Sequence, residues 1–260
     1  MRPNNQTVLA GVKISGAGRP LVLLHSSMSS GKQWTKLVQQ LKDNHQIINI
    51  DLLGYGDAPQ PDRNTVFSLQ YETRRIESIL AELGVEQFDL VGHSYGGATA
   101  LKFTYENPSR VNRLVVFEPV AFHLLAADNP ARQDVVQLGN SMAEMSDFEA
   151  AESFLDYWNG QGYFASIPDF VRQPLLNRVY KGVLDFTALL GESYQLSDYA
   201  NIVQPTLLLS GEKTRRSAQA VVHELSQHLP NSHMQVTPGG HMAPISHADT
   251  VNQYIVDFLD

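Results

Sequence analysis

With 260 residues, 43% of them hydrophobic and 18% charged, the chain can bury one substantial core. That fits one α/β domain carrying an insertion better than two independent domains. A net charge of −8 offers no footprint for nucleic acid or an anionic membrane surface, and the lack of any cysteine excludes disulfides, thiolate catalysis and cysteine–zinc sites. Residues 1–7 lack the apolar stretch of a signal peptide, and no later segment is long and apolar enough to span a bilayer. A soluble cytoplasmic protein is therefore expected.

In chain order, residues 7–9 and 12–15 have the pattern of short opening strands. The apolar run Leu21, Val22, Leu23 and Leu24 is of buried-strand type and ends at His25 in a small-residue loop. Trp34, Leu37, Val38 and Leu41 recur at helical spacing and predict a helix over 32–42. Ile47, Ile48 and Ile50 mark a strand over 46–51, and glycines with a proline make 53–59 a turn cluster. Residues 68–83 are helical in pattern, with Ile76, Ile79, Leu80 and Leu83 on one side. A short apolar strand over 88–91 is followed by a helix through Phe103. Strands over 113–118, 206–210 and 234–237, with helices over 217–228 and 248–259, complete the alternation. This rhythm predicts an α/β fold, a mostly parallel sheet with helices on both faces.

Between Pro119 and Gln204 the rhythm stops. Helical patterns cover 131–145, 147–158, 168–180 and 185–190, no strand is convincing, and aromatics are frequent. The chain therefore divides into a core, residues 1–118 and 205–260, and a helical cap over 119–204. The cap is expected above the carboxyl ends of the strands, where open α/β sheets bind ligands. Most of its aromatics are expected to pack the lid itself. Trp158 and Phe164 are the candidates for lining a substrate pocket from the cap, and His25 from the core.

The densest signal is Gly92-His93-Ser94-Tyr95-Gly96-Gly97, a Gly-x-Ser-x-Gly pattern between a strand and a helix. A serine at so tight a corner takes strained backbone angles and lifts its hydroxyl clear of the sheet. Side chains at Gly92 and Gly96 would collide across the turn. The amide of Tyr95, opening the helix, points where a developing oxyanion would sit. Ser94 is thus the candidate nucleophile. Such a serine needs a base, an orienting acid and oxyanion donors. His241, in Thr237-Pro238-Gly239-Gly240-His241-Met242-Ala243-Pro244, is the base candidate, because its glycine- and proline-rich loop follows the last predicted strand.

Together these residues resemble the α/β-hydrolase fold superfamily. Leu23-Leu24-His25-Ser26-Ser27 is similar to its His-Gly oxyanion loop, and Asp51-Leu52-Leu53-Gly54-Tyr55-Gly56 to its Asp-x-x-Gly-x-Gly loop; the elbow and Gly240-His241 complete the match. The resemblance spans nearly the whole chain outside the cap and implies that the backbone amide of Ser27 is the second oxyanion donor beside that of Tyr95. Two departures stand out: Ser26 occupies the place of a usual glycine, and Asp57-Ala58 replaces a basic–serine pair.

The acid is open at this level. In most of the superfamily it lies in a Gly-x-x-Asp pattern after the strand that follows the cap, but here Gly211-Glu212-Lys213-Thr214 puts threonine there. The superfamily's alternative places it after the preceding strand, where this chain has Glu118. A carboxylate closing an apolar strand is costly to bury unless paired, which points to function. Glu118 ranks first and Glu212 second; Asp249 follows the histidine, in the wrong chain order.

Other patterns are set aside. In the sequence Gly92-x-Ser94-x-x-Gly97, serine stands where a dinucleotide fingerprint needs glycine. His223 and His228 are five apart and diverge around a helix, so they do not share a metal face. Neither a cofactor nor a metal is implied. The expected protein is a serine hydrolase of a small or medium acyl substrate, an ester foremost, with a small molecule as its only expected partner. The competing readings are a small-molecule binding or sensing protein with negligible turnover, and a cofactor-free carbon–carbon bond hydrolase or lyase on the same triad.

Overall fold

Leu21 and Leu23 pack on one side of the sheet and Val22 and Leu24 on the other, the alternation that a strand buried on both faces requires. A computed structural model describes residues 8–62 and 65–260. Its seven strands are β1 (Val12–Ser15), β2 (Arg19–Leu24), β3 (His45–Ile50), β4 (Phe88–His93), β5 (Val111–Phe117), β6 (Thr206–Gly211) and β7 (Ser232–Thr237). They form one sheet in the order β1-β3-β2-β4-β5-β6-β7. Only β1 runs antiparallel, against β3; every other pairing is parallel.

Helices cover both faces. On one side α1 (Thr35–Leu41) and α12 (Ala248–Leu259) bury Leu37, Leu41, Val251, Ile255 and Leu259 against Leu21, Leu23, Val91, Val115 and Leu207. On the other, α2 (Leu69–Glu82), α3 (Tyr95–Glu106) and α10 (Arg216–His228) pack on Val22, Ile48, Leu90, Leu114 and Leu208. The sheet centre is thus sealed, and open backbone is left at strand ends, where loops can carry reactive side chains.

Between β5 and β6 the described chain is helical: α4 (Pro130–Glu144), α5 (Asp147–Asn159), α6 (Tyr163–Ser166), α7 (Asp169–Leu176), α8 (Val179–Leu190) and α9 (Leu196–Tyr199), preceded by a 3-10 turn at Phe122–Leu124. Ser146 and Glu149 form a capping box that starts α5. Short α11 (Ala243–Ser246) follows β7.

Three expectations change. Of the strand expected at 7–9, Thr7 lies outside the described residues, and Leu9 instead accepts a turn bond from the amide of Val12 at 3.0 Å. The single helix expected over 168–180 breaks after Leu176, where Asn177 and Arg178 turn the chain into α8. The pattern at 185–190 is the second half of α8, so one helix carries both Lys181 and Asp185. No glycine or proline stands at 177–178, so the sequence carries no strong turn signal at the break.

Candidate active site

β4 ends against the serine corner, and Ser94 sits there at φ 55°, ψ −118°. A non-glycine residue holds such angles only where its surroundings over-determine them, at a cost on the order of 1–3 kcal/mol. The Ser94 amide is pinned to the Phe117 carbonyl at 2.9 Å. The corner has no space for side chains: a Cβ on Gly92 would lie 2.4 Å from the Gly96 carbonyl oxygen, and one on Gly96 2.5 Å from that of His25. As the first residue of α3, Tyr95 has an amide with no intrahelical acceptor.

Three side chains from three strand ends meet here. Ser94 Oγ is 2.9 Å from His241 Nε2, and His241 Nδ1 is 2.6 Å from Glu118 Oε2, with all three residues buried. Glu118 follows β5 at φ 41°, a second strained position, directly before Pro119. Its carboxylate also accepts the Gly211 amide at 2.7 Å on Oε1 and the Thr214 hydroxyl at 2.5 Å on Oε2. These bonds satisfy a charge that would otherwise be costly to bury. Glu212 is turned away: its side chain is 54% exposed, 3.9 Å from Lys213 Nζ. Asp249 is on the surface, paired with Lys36 at 2.8 Å.

His93, the residue before the serine, plays a part that the motif alone does not signal. Its Nε2–H donates to the His241 carbonyl at 2.9 Å, and its Nδ1 accepts from Gln33 Nε2 at 3.2 Å. Gln33 Oε1 in turn accepts both the amide and the hydroxyl of Ser26 at 3.1 Å. One chain of bonds therefore links the histidine loop to the Ser26–Ser27 loop, and Ser26, in place of the usual glycine, is tied into it. Burial, reinforced by the neighbouring His241, holds His93 well below the ordinary histidine range, so it is neutral.

A cavity of about 200 Å³ opens beside Ser94. Its walls are mainly apolar, with Met28, Phe154, Trp158, Ile167, Val171 and Leu175 facing Ser27, Ser94 and His241. Trp158 lines it and stacks on the His241 imidazole, ring centroids 3.9 Å apart and planes 28° from parallel. A much smaller void behind Ser94 is lined by Ser27, Phe122, Phe186 and Asp185, among others.

Two pocket expectations are corrected. His25 does not line the cavity: its Nδ1 donates to the Ser26 carbonyl at 2.7 Å and its Nε2 accepts the Leu52 amide at 2.9 Å, so it is a buried brace between two loops. Burial lowers its pKa to about 4. Phe164 points into the helical segment, fully buried edge-on against Phe148 at 5.0 Å. Its neighbour Tyr163 lines the cavity instead. Among the described residues no group of three His, Asp or Glu side chains comes together to hold a metal ion. No helix is long and apolar enough to cross a membrane among them.

A strained serine between β4 and α3, a histidine after the last strand, and a seven-stranded sheet in this order define an α/β-hydrolase architecture. The sequence pattern of the alpha/beta hydrolase fold matches residues 19–248, and the chain belongs to that family. Among curated relatives, a putative 2-succinyl-6-hydroxy-2,4-cyclohexadiene-1-carboxylate synthase of Bacillus subtilis is 25% identical, covering 98% of this chain and 97% of its own. A 2-hydroxymuconate semialdehyde hydrolase of a Pseudomonas strain is 31% identical over 43% of this chain and 41% of its own. The enol-lactonase of Burkholderia xenovorans has the same fold, with a TM-score of 0.80 at 18% identity over 95% of both chains.

Proposed function

We propose that the protein is a serine hydrolase of small or medium acyl substrates, esters foremost, with Ser94 as nucleophile, His241 as base and Glu118 as the orienting acid. The observation that carries this reading is the continuous line Ser94 Oγ–His241 Nε2, 2.9 Å, and His241 Nδ1–Glu118 Oε2, 2.6 Å. With Nδ1–H donated to Glu118, the imidazole presents an unprotonated Nε2 to the serine, the tautomer that proton abstraction requires.

Ser94 attacks the acyl carbon while His241 takes its proton, and the amides of Ser27 and Tyr95 receive the developing oxyanion. His241 then protonates the leaving group, the tetrahedral adduct collapses to an acyl-serine, and a water activated by the same imidazole releases the acid. The helices between β5 and β6 act as a lid. The apolar walls of the cavity fit an uncharged hydrocarbon portion of a small-molecule substrate.

The test is turnover of a series of p-nitrophenyl esters of increasing chain length by the purified protein and by its Ser94→Ala variant. Loss of roughly four to six orders of magnitude in the variant is expected, leaving only binding and oxyanion effects. Near wild-type turnover in Ser94→Ala would reject the assignment. A second reading, carbon–carbon bond hydrolysis by the same residues, is favoured by the similarity to the 2-hydroxymuconate semialdehyde hydrolase, 31% identical over 43% of this chain. It predicts turnover of a vinylogous diketone exceeding that of every ester.

A further inference from the structure

Ser27 and Tyr95, whose amides are the proposed oxyanion donors, have their side chains tied to a single buried ion cluster. Ser27 Oγ donates to Asp185 Oδ2 at 2.5 Å, and Tyr55 OH donates to the same oxygen at 2.6 Å. On the far side, Tyr95 OH donates to Glu72 Oε1 at 3.3 Å, while Glu72 Oε2 accepts the Leu53 amide at 3.1 Å. Lys181 joins the two halves. Its Nζ ion-pairs with Asp185 Oδ1, one turn along α8, and with Glu72 Oε1 at 3.3 Å. The rings of Tyr55, Phe67 and Tyr95 surround the ammonium, with centroids 4.8, 4.6 and 4.5 Å away.

The side chains of Glu72, Lys181 and Asp185 are each no more than 2% exposed. Taking three ions out of water is expensive, and well-packed apolar residues of similar volume commonly serve stability as well or better. Filling space therefore does not account for the cluster. Oxyanion donors, by contrast, work only when fixed about 2.7–3.1 Å from the developing oxygen. The Ser27 amide lies on a loop whose next residue, Met28, sits at φ 60°. The same helix also reaches that loop from just before its start: Arg178 donates to the Met28 carbonyl at 3.0 Å.

We infer that Lys181, bridging Asp185 and Glu72, is a clamp that sets the separation of the Ser27 and Tyr95 amides and thereby positions the oxyanion hole. The inference rests on the reading of Ser94 as nucleophile. Lys181, Asp185 and Glu72 are positioning residues, and the clamp makes oxyanion geometry depend on where α8 is seated. A substrate that disturbs α8 changes the rate of chemistry through this path.

The test uses Ser27→Ala and Tyr95→Phe, which keep both amides and remove only the hydroxyls at opposite ends of the clamp, together with Asp185→Asn. Each single variant is expected to lower kcat about 10- to 100-fold with KM within about threefold, somewhat less than outright loss of one oxyanion donor. Because the two hydroxyls serve one device, the Ser27→Ala/Tyr95→Phe double variant should lose little more than the worse single. In amide NMR spectra, Asp185→Asn should shift the Tyr95 N–H as well as that of Ser27, although Asp185 makes no hydrogen bond to Tyr95. Losses that multiply, or lowered melting temperatures with kcat unchanged, overturn the clamp. So does an Asp185→Asn spectrum in which Ser27 moves and Tyr95 does not. Should Asp185→Asn fail to fold, the two hydroxyl variants and their double decide alone. Persistence of wild-type ester turnover in Ser94→Ala rejects the nucleophile reading instead, and the amide shifts still decide the coupling.

Discussion

Thr214 donates its hydroxyl to Glu118 Oε2 at 2.5 Å, the same oxygen that lies 2.6 Å from His241 Nδ1. The residue standing where relatives of this fold commonly carry an aspartate is thus a hydrogen-bond donor to a carboxylate supplied by the neighbouring strand. The two positions are 96 apart in sequence and share one site. A carboxylate at 214 would face Glu118 at hydrogen-bond distance, and two such groups cannot both ionise.

Glu118→Gln should lower kcat/KM by at least about a hundredfold. The comparable acid-to-amide change in a serine protease costs about ten-thousandfold through the wrong imidazole tautomer. Glu212→Gln, at a half-exposed side chain, should be nearly neutral. Steady-state kinetics of the two variants on one ester decide the matter, and the reverse ranking would move the acid to the later strand.

Trp158 and Phe164 should respond in opposite ways. Phe164 is fully buried within the helical segment, so Phe164→Ala should cost about 3–5 kcal/mol of stability and leave the preference for chain length unchanged. Trp158 lines the cavity and stacks on His241, so Trp158→Leu should alter chain-length preference and also lower kcat. Paired melting curves and specificity ratios give the answer. An unaltered ratio in Trp158→Leu would assign it to packing alone.

His93 anchors the histidine loop through the His241 carbonyl. Replacing it with Phe leaves that carbonyl and the Gln33 amide without their partner, at about 1–3 kcal/mol for a buried unsatisfied group. We expect kcat to fall at least about tenfold, read by steady-state kinetics on one ester. Full activity in His93→Phe would mean that the loop is held by its own glycine-rich turn.

Acid should destabilise the protein in a defined window. Burial lowers the pKa of His123 to about 4, against an unfolded value near 6.5. Between these two values the unfolded chain binds a proton that the folded one does not, so stability falls as pH falls from about 6.5 to 4, by about 1.4 kcal/mol per pH unit for this group. His25 acts in the same sense, whereas the carboxyls of Glu72 and Asp185, raised by burial, act in the opposite one. His123 is outside the candidate site, which makes it the clean probe. Chemical denaturation at pH 4.5 and 7 should show a smaller difference for His123→Phe than for the unaltered chain, and an equal difference would contradict the buried neutral state.

The sequence alone determined the alternation of strands and helices, the Gly92–Gly96 corner and the glycine-rich loop of His241. These features are local: residue periodicity follows which face is buried, and a tight turn admits only certain side chains. The ranking of Glu118 above Glu212 came from the resemblance, whose alternative acid position Glu118 occupies, with the cost of burying a charge at the end of an apolar strand in support. Tertiary structure decided the direction of individual side chains. Trp158 and Phe164 are both aromatic and six residues apart, yet one faces the cavity and the other the interior of the helices, because the chain turns at Gly160 and Gly162 between them. His25 belongs to a recognisable loop, but its two ring nitrogens are consumed by backbone partners up to 27 residues away. Lys181 meets Glu72 across 109 residues, a pairing that no local pattern encodes. Burial periodicity tells which side of an element is covered. Which charge meets which hydroxyl is fixed only when separate elements pack, because hydrogen bonds and ion pairs act over a few ångströms and sequence distance carries no record of them.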